Sequence, residues 1–225
     1  MPPLRPGRYL AAVALILAIE CSTPHASLAV VRDGETVYEG GFESDRHHHA
    51  LLFAPLQKAL GAIGDGKIDE IIVGTGPGSY SGTRVGIAAA QGVGLVHGCG
   101  VVGLSSLLAL GLEEGLVVGD ARRGSAWWVR LGEGLPEPQL VEVAELSQMI
   151  DGPVHALEDL SRLALPGKTE VRQVVPTAAA LASAWRGLDE PTRDRLRVEP
   201  PQPAYLRPPH STAAKQGHPL LRRGD

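Results

Sequence analysis

The order in which hairpin and crossover signals occur along the chain most constrains its fold. Asp33-Gly34 stands between two strand-like runs, 26–32 and 36–42, and Asp-Gly so flanked specifies a two-residue hairpin. Before the hairpin, Ile16-Leu17-Ala18-Ile19-Glu20 opens with an unbroken apolar run, the pattern of a central strand buried on both faces. After it, helices and strands alternate: helix 47–60, strand 70–74, loop 75–82, helix 83–97, strand 100–103, helix 105–112. A hairpin needs antiparallel neighbours, whereas helical crossovers need parallel ones. A mixed five-stranded sheet with helices on its faces satisfies both, so the fold class is α/β. Within helix 47–60, Asp45 is the expected N-cap. Leu51, Leu52, Phe53, Leu56, Ala59 and Leu60 form the apolar face, and Pro55 is expected to bend it.

From residue 117 the pattern changes. Strands are predicted at 117–120, 126–131, 154–156 and 171–175, with a helix at 176–185. The reading is an extension (1–14), lobe one (15–104), a smaller second α/β lobe (105–206) and a tail (207–225). The tail carries Arg207, Lys215, Arg222 and Arg223 against Asp225 alone, and terminal segments of this kind are expected to move freely. No internal sequence repeat is visible.

Charge and cysteine content exclude several classes. With 21 basic and 25 acidic side chains the chain carries −4, so any nucleic-acid contact must come from a local patch. Cys21 and Cys99 are the only two cysteines, which excludes a disulfide scaffold or a zinc knuckle. Arg5 and Arg8 before the apolar run 9–19, with Cys21 following, resemble a secretion signal. Glu20 is large and charged where a signal peptidase needs a small neutral residue, and the run is too short to span a bilayer. The strand reading is therefore preferred, with a reduced, cytoplasmic protein as the expectation.

The segment 74–84 is rich in glycine and opens a helix, a place where backbone N–H groups favour anions. Its residues Gly76, Pro77, Gly78, Ser79, Gly82 and Arg84 fit neither the Walker pattern nor Gly-x-Gly-x-x-Gly. A nucleotide loop and a tight strand-to-helix turn both remain open. In the following helix, Val85 to Leu95 has almost no polar face. Gly86, Gly92 and Gly94 each cost about 1 kcal/mol against alanine, so close approach on two sides is expected: its own sheet on one, a helix or another chain on the other. Asp120-Ala121-Arg122-Arg123-Gly124 reads equally as a cleft-facing turn or a salt-bridged hairpin. Trp127 and Trp128 should face opposite sides of a strand. His47-His48-His49 reads as a solvated helix start, because consecutive helical residues diverge by about 100°.

Five segments together resemble the TsaB family: Ile16–Ile19 before Ser22-Thr23, Gly76-Pro77-Gly78-Ser79-Tyr80-Ser81-Gly82-Thr83-Arg84, Val102-Gly103-Leu104-Ser105-Ser106-Leu107, Asp120–Gly124, and Pro203-Ala204-Tyr205-Leu206-Arg207. The resemblance covers about residues 15–215. It implies an actin-like two-lobed fold and a non-catalytic scaffold role in tRNA threonylcarbamoyladenosine synthesis. It also implies pairing with TsaD through the lobe-one helices, a TsaE-type ATPase in the complex, indirect contact with tRNA, and a homodimer as an option for the chain alone. The interface residues so implied are Leu51, Leu52, Pro55, Val85, Ala89 and Val93. The sister catalytic family carries a His-x-x-x-His metal pair. The matching positions here are Ser106 and Leu110, and leucine cannot ligate a metal. No catalytic residue, metal or cofactor of its own is therefore expected; ATP belongs to TsaD, with weak nucleotide binding in this chain's cleft left open. Glu20 stands where family members carry aspartate. A metallopeptidase would need the missing histidines, and a small-molecule kinase would need a second phosphate loop.

Overall fold

The computed structural model describes residues 15–44, 48–132 and 134–206. Asp45, His47, the extension 1–14 and the tail 207–225 lie outside the described residues, as do the side chains of His48 and His49.

The first sheet is built from β1 (Leu15–Glu20), β2 (His25–Arg32), β3 (Glu35–Glu43), β4 (Glu70–Gly74) and β5 (Gly100–Leu104), in the order β3-β2-β1-β4-β5. β1–β2 and β2–β3 are antiparallel; β1–β4 and β4–β5 are parallel. Asp33 (φ 52°) and Gly34 (φ 91°) both adopt positive φ, which matches the right-handed twist of the strands they join. The central strand is buried throughout. Its odd positions, Leu15, Leu17 and Ile19, pack on one face with Leu28 and Val30. Its even positions, Ile16 and Ala18, pack on the other with Ala29, Val31 and Ile72.

The first face is covered by α1 (His48–Leu51), α2 (Phe53–Ile63) and α3 (Tyr80–His97), through Leu52, Leu56, Ala59, Ile87, Ala90 and Val93. The predicted helix 47–60 is thus two pieces broken at Leu52. The break falls in the turn before Pro55, which cannot donate to the Leu51 carbonyl and whose ring crowds it, so α2 restarts with Pro55 in its first turn. α3 begins three residues before the predicted start, because the Ser79 hydroxyl accepts the Gly82 N–H and caps it there.

The second face is covered from far along the chain. α5 (Ala178–Gly187) packs Ala178, Leu181, Ala182 and Trp185 on it. Trp185 Nε1 donates to Glu70 Oε2 (2.7 Å), and Arg197 Nε from α6 (Glu190–Val198) donates to Glu70 Oε1 (2.6 Å). These helices, assigned from chain order to a second lobe of 105–206, sit on the first sheet.

The second sheet contains β6 (Gly115–Asp120), β7 (Ser125–Leu131), β8 (Gln139–Glu142), β9 (Val154–Ala156) and β10 (Val171–Gln173), ordered β10-β9-β6-β7-β8. β6, β7 and β8 meander antiparallel, while β9 and β10 add in parallel on the other side. The first strand of each sheet is therefore central, flanked by an antiparallel pair and a parallel pair. β8, α4 (Val143–Met149) and α6 were not anticipated, and the predicted helix 105–112 is a 3-10 turn, Ser106–Leu110. No helix among the described residues is long and apolar enough to cross a membrane.

Candidate functional site

Two features stand out: the glycine-rich turn with the cleft it borders, between the two lobes, and the outer face of α3. The turn is held by three hydrogen bonds from its backbone N–H groups to two other segments. Thr75 N–H donates to Leu104 O (2.9 Å), Gly76 N–H to Ser106 Oγ (2.9 Å), and Ser79 N–H to Ser22 O (2.6 Å). Gly76 has φ 89°, and a Cβ at Gly78 would overlap the Ser22 carbonyl. Glycine is required there by close backbone approach. Gly82, expected at the end of the loop, belongs with Arg84 to the first turns of α3.

Glu20, at the end of β1, lies beneath this turn. Gly74 leaves room for its carboxylate, which a Cβ would overlap. Glu20 Oε1 accepts the Ser22 N–H (2.6 Å), while Oε2 has no hydrogen-bond partner. Complete burial pushes the Glu20 carboxyl above the usual range, and the nearby Ser22 and Ser106 groups only partly offset this. Its carboxylate is committed inward rather than presented to the cleft.

The cleft has a volume of about 710 Å³ and runs between Ser22, Thr23 and Tyr80 of the first lobe and Asp120, Arg122 and Trp127 of the second. The two readings of 120–124 are both realised: Arg122 pairs with Asp120 (2.8 Å) and also lines the cleft. Glu158 Oε1 accepts the Asp120 N–H (3.0 Å), and burial raises its pKa. Residues 199–206 form a strap over the glycine-rich turn. Ala204 N–H donates to Thr75 O (2.8 Å), and Tyr205 accepts two bonds from Arg84, from Nε (2.8 Å) and Nη2 (2.6 Å). The Arg84 guanidinium lies 4.1 Å over the Tyr80 ring. Sequence reasoning named Arg84 and Tyr205 in separate motifs but missed their pairing.

The three helix glycines separate into two kinds. A Cβ at Gly86 would meet Cys21 Cβ at 3.2 Å, and one at Gly94 would meet Val101 Cγ2 at 2.7 Å; these two let α3 lie close to its own sheet. At Gly92 a Cβ would meet nothing within 4 Å. Gly92 belongs to an open stripe with Ala88 and Leu95, and Leu95 and Val96 are 86% and 82% exposed. Leu51 and Phe53 are exposed on the adjacent α1–α2 segment, Phe53 at 66%.

The six expected interface residues divide accordingly. Leu51 is exposed, and Pro55, Val85 and Ala89 are half-buried. Leu52 and Val93 are corrected: both are buried in the first-sheet core, Leu52 completely and Val93 with 8% exposed. Phe53, Gly92, Leu95 and Val96 were not among those named. The signal that could have found the α3 members is the spacing Arg84, Ala88, Gly92, Leu95, one position out of phase with Val85, Ala89, Val93.

The family model described as "TsaD: tRNA N6-adenosine threonylcarbamoyltransferase" matches residues 39–184. An uncharacterised protein of Mycobacterium tuberculosis is 32% identical over 212 residues, covering 88% of this chain and 93% of that one. The tRNA threonylcarbamoyladenosine biosynthesis protein TsaB of Escherichia coli is 32% identical over 124 residues, 50% of this chain and 53% of that one. The solved structure of YeaZ from Pseudomonas aeruginosa superposes with a TM-score of 0.66 at 22% identity, covering 86% of this chain and all of that one (100%). At that identity the likeness establishes the fold.

Proposed function

The chain belongs to the TsaB family, and on that footing we propose that it is the non-catalytic subunit that pairs with TsaD in tRNA threonylcarbamoyladenosine synthesis. The observation that carries the pairing is the open, small-residue, apolar face of α3 beside Leu51 and Phe53. Exposed apolar patches of this kind mark protein contacts, and a glycine facing outward permits a second helix to approach closely. A TsaD chain of the same fold would present its own equivalent helices, giving a four-helix, pseudo-symmetric contact. A TsaE-type ATPase would join this pair, and tRNA would be handled chiefly by the assembled complex in the cytoplasm.

Catalysis and ATP are assigned to TsaD. In this chain Ser106 spends its hydroxyl on the Gly76 N–H, and Leu110 packs against the second-sheet core. These are the positions at which the sister family's metal pair would fall. Glu20, turned inward beneath Gly74, gives further support to a non-catalytic role.

The test is titration calorimetry of the purified chain with TsaD. Wild type is expected to bind, and Leu95→Glu to bind at least tenfold more weakly without loss of thermal stability, since Leu95 is almost wholly exposed. Absence of wild-type binding to TsaD overturns the reading. A homodimer lost on Leu95→Glu, with no TsaD binding, would assign the same face to self-association.

A further inference from the structure

The hairpin between β6 and β7 turns through two arginines in an unusual conformation. Arg122 (φ 65°) and Arg123 (φ 56°) are both left-handed, followed by Gly124 (φ 78°). Such a conformation costs an ordinary residue about 1–2 kcal/mol, whereas Asn, Asp and Gly adopt it readily. The β2–β3 hairpin of this same chain meets that demand with Asp33-Gly34. At 122–123 the chain places two arginines instead and holds them there. Asp120 Oδ1 accepts the Arg122 N–H (2.7 Å), Ser125 N–H donates to Arg122 O (3.2 Å), and Ala121 N–H donates to Ser125 O (3.1 Å).

Beside this turn is a pocket of about 420 Å³, lined by Arg122, Arg123 and Arg162, with Asp120, Val143 and Leu163 among its other walls. Arg162 comes from the segment after β9, so the three guanidinium-bearing residues converge from two separate loops. Asp120 is the single acid in the lining, and it is already paired with Arg122. Arg123 and Arg162 make no ion pair among the described residues. Two further acids lie nearby. Glu158 accepts the Asp120 N–H; burial raises its pKa while Arg122 and Arg162 work against that, and Asp159, which binds the Ser161 hydroxyl and N–H, also feels the Arg162 charge. The lining itself therefore carries three arginines and one aspartate.

We propose that this pocket binds phosphate. The guanidinium fork matches phosphate oxygens in bidentate fashion. Phosphate oxygens can accept from more than one guanidinium at once, which a lining with three arginines offers. The positive-φ arginines are then a local strain retained for the ligand. The phosphate has two possible sources: the terminal phosphate of a mononucleotide or the backbone of RNA. The site is independent of the α3 face and does not rest on TsaD pairing.

The experiment uses the full chain, with inorganic phosphate titrated at ionic strength held constant by sodium chloride, read as Tm and by calorimetry. Wild type is expected to gain Tm with phosphate, as any ligand selective for the native state requires. Arg123→Asn with Arg162→Gln is expected to lose that response, with affinity at least tenfold weaker. Without phosphate, Arg123→Asn alone should keep or raise Tm, since asparagine tolerates the left-handed region. Absence of a phosphate response in wild type overturns the proposal, as does an equal response in the double variant. Parallel titrations with ATP and with tRNA separate the sources. Weaker tRNA binding in the variant, with a salt slope reduced by about 0.7–0.9 for each phosphate it no longer neutralises, assigns the RNA backbone. A loss confined to phosphate and ATP assigns a mononucleotide.

Discussion

Gly92 separates the stability of the chain from its proposed contact, because one substitution should move the two in opposite directions. In the free chain a side chain at Gly92 has open space: a Cβ meets nothing within 4 Å. Gly92→Arg replaces the poorest non-proline helix former with one of the best, a gain of about 0.8–1 kcal/mol in a helix interior. For a chain of this size, that corresponds to a rise in Tm of roughly 2–4 °C. In the complex with TsaD, the same arginine would enter the closest approach between two helices. An unpaired buried charge costs about 3–5 kcal/mol, which is more than a hundredfold in Kd. The control is Gly94→Ala, whose Cβ would meet Val101 Cγ2 at 2.7 Å and Cys99 O at 3.0 Å. It should lose stability despite better helix propensity, because overpacking costs about 1–3 kcal/mol, yet its folded fraction should still bind. Circular dichroism melts and calorimetry with TsaD read both quantities. Gly92→Arg binding as tightly as wild type would remove α3 from the interface. A lowered Tm for that variant would show that this face is packed rather than open.

Glu20→Gln should stabilise the fold at neutral pH, most visibly in urea unfolding. The folded-state carboxyl is raised, so the native chain holds a proton that the unfolded chain releases above about pH 4.5, and wild-type stability falls as pH rises from there toward the folded value. The glutamine variant lacks that fall, so the difference between the two should grow with pH; equal curves would refute the assignment. Ser79→Ala should cost about 1 kcal/mol through loss of the α3 cap, measured by the same melts, and an unchanged Tm would show that the cap contributes nothing.

What the sequence revealed follows the range of the interactions involved. The first sheet was legible because its signals are local: an Asp-Gly turn whose two residues both take positive φ, and a central strand whose alternate residues both find partners. The second face of that sheet was not legible. Ala178, Leu181, Ala182 and Trp185 have helical spacing, but nothing in that spacing says which sheet they cover, and the Trp185–Glu70 bond spans 115 residues. The same limit hid the Arg84–Tyr205 pair, which is 121 residues apart. The outer face of α3 failed for another reason. A helix reveals its phase through a polar side, and Val85 to Leu95 has almost none, so a rotation of one residue passes unnoticed. Val93, expected to face outward, lies in the core; Gly92, its neighbour, is open. Only the sheet beneath fixes that rotation, through the two glycines that touch Cys21 and Val101. The repeated topology of the two sheets shows the same division. Strand order is set by which surfaces bury which, and unlike sequences can satisfy it equally, so a duplication of architecture leaves no repeat in the sequence.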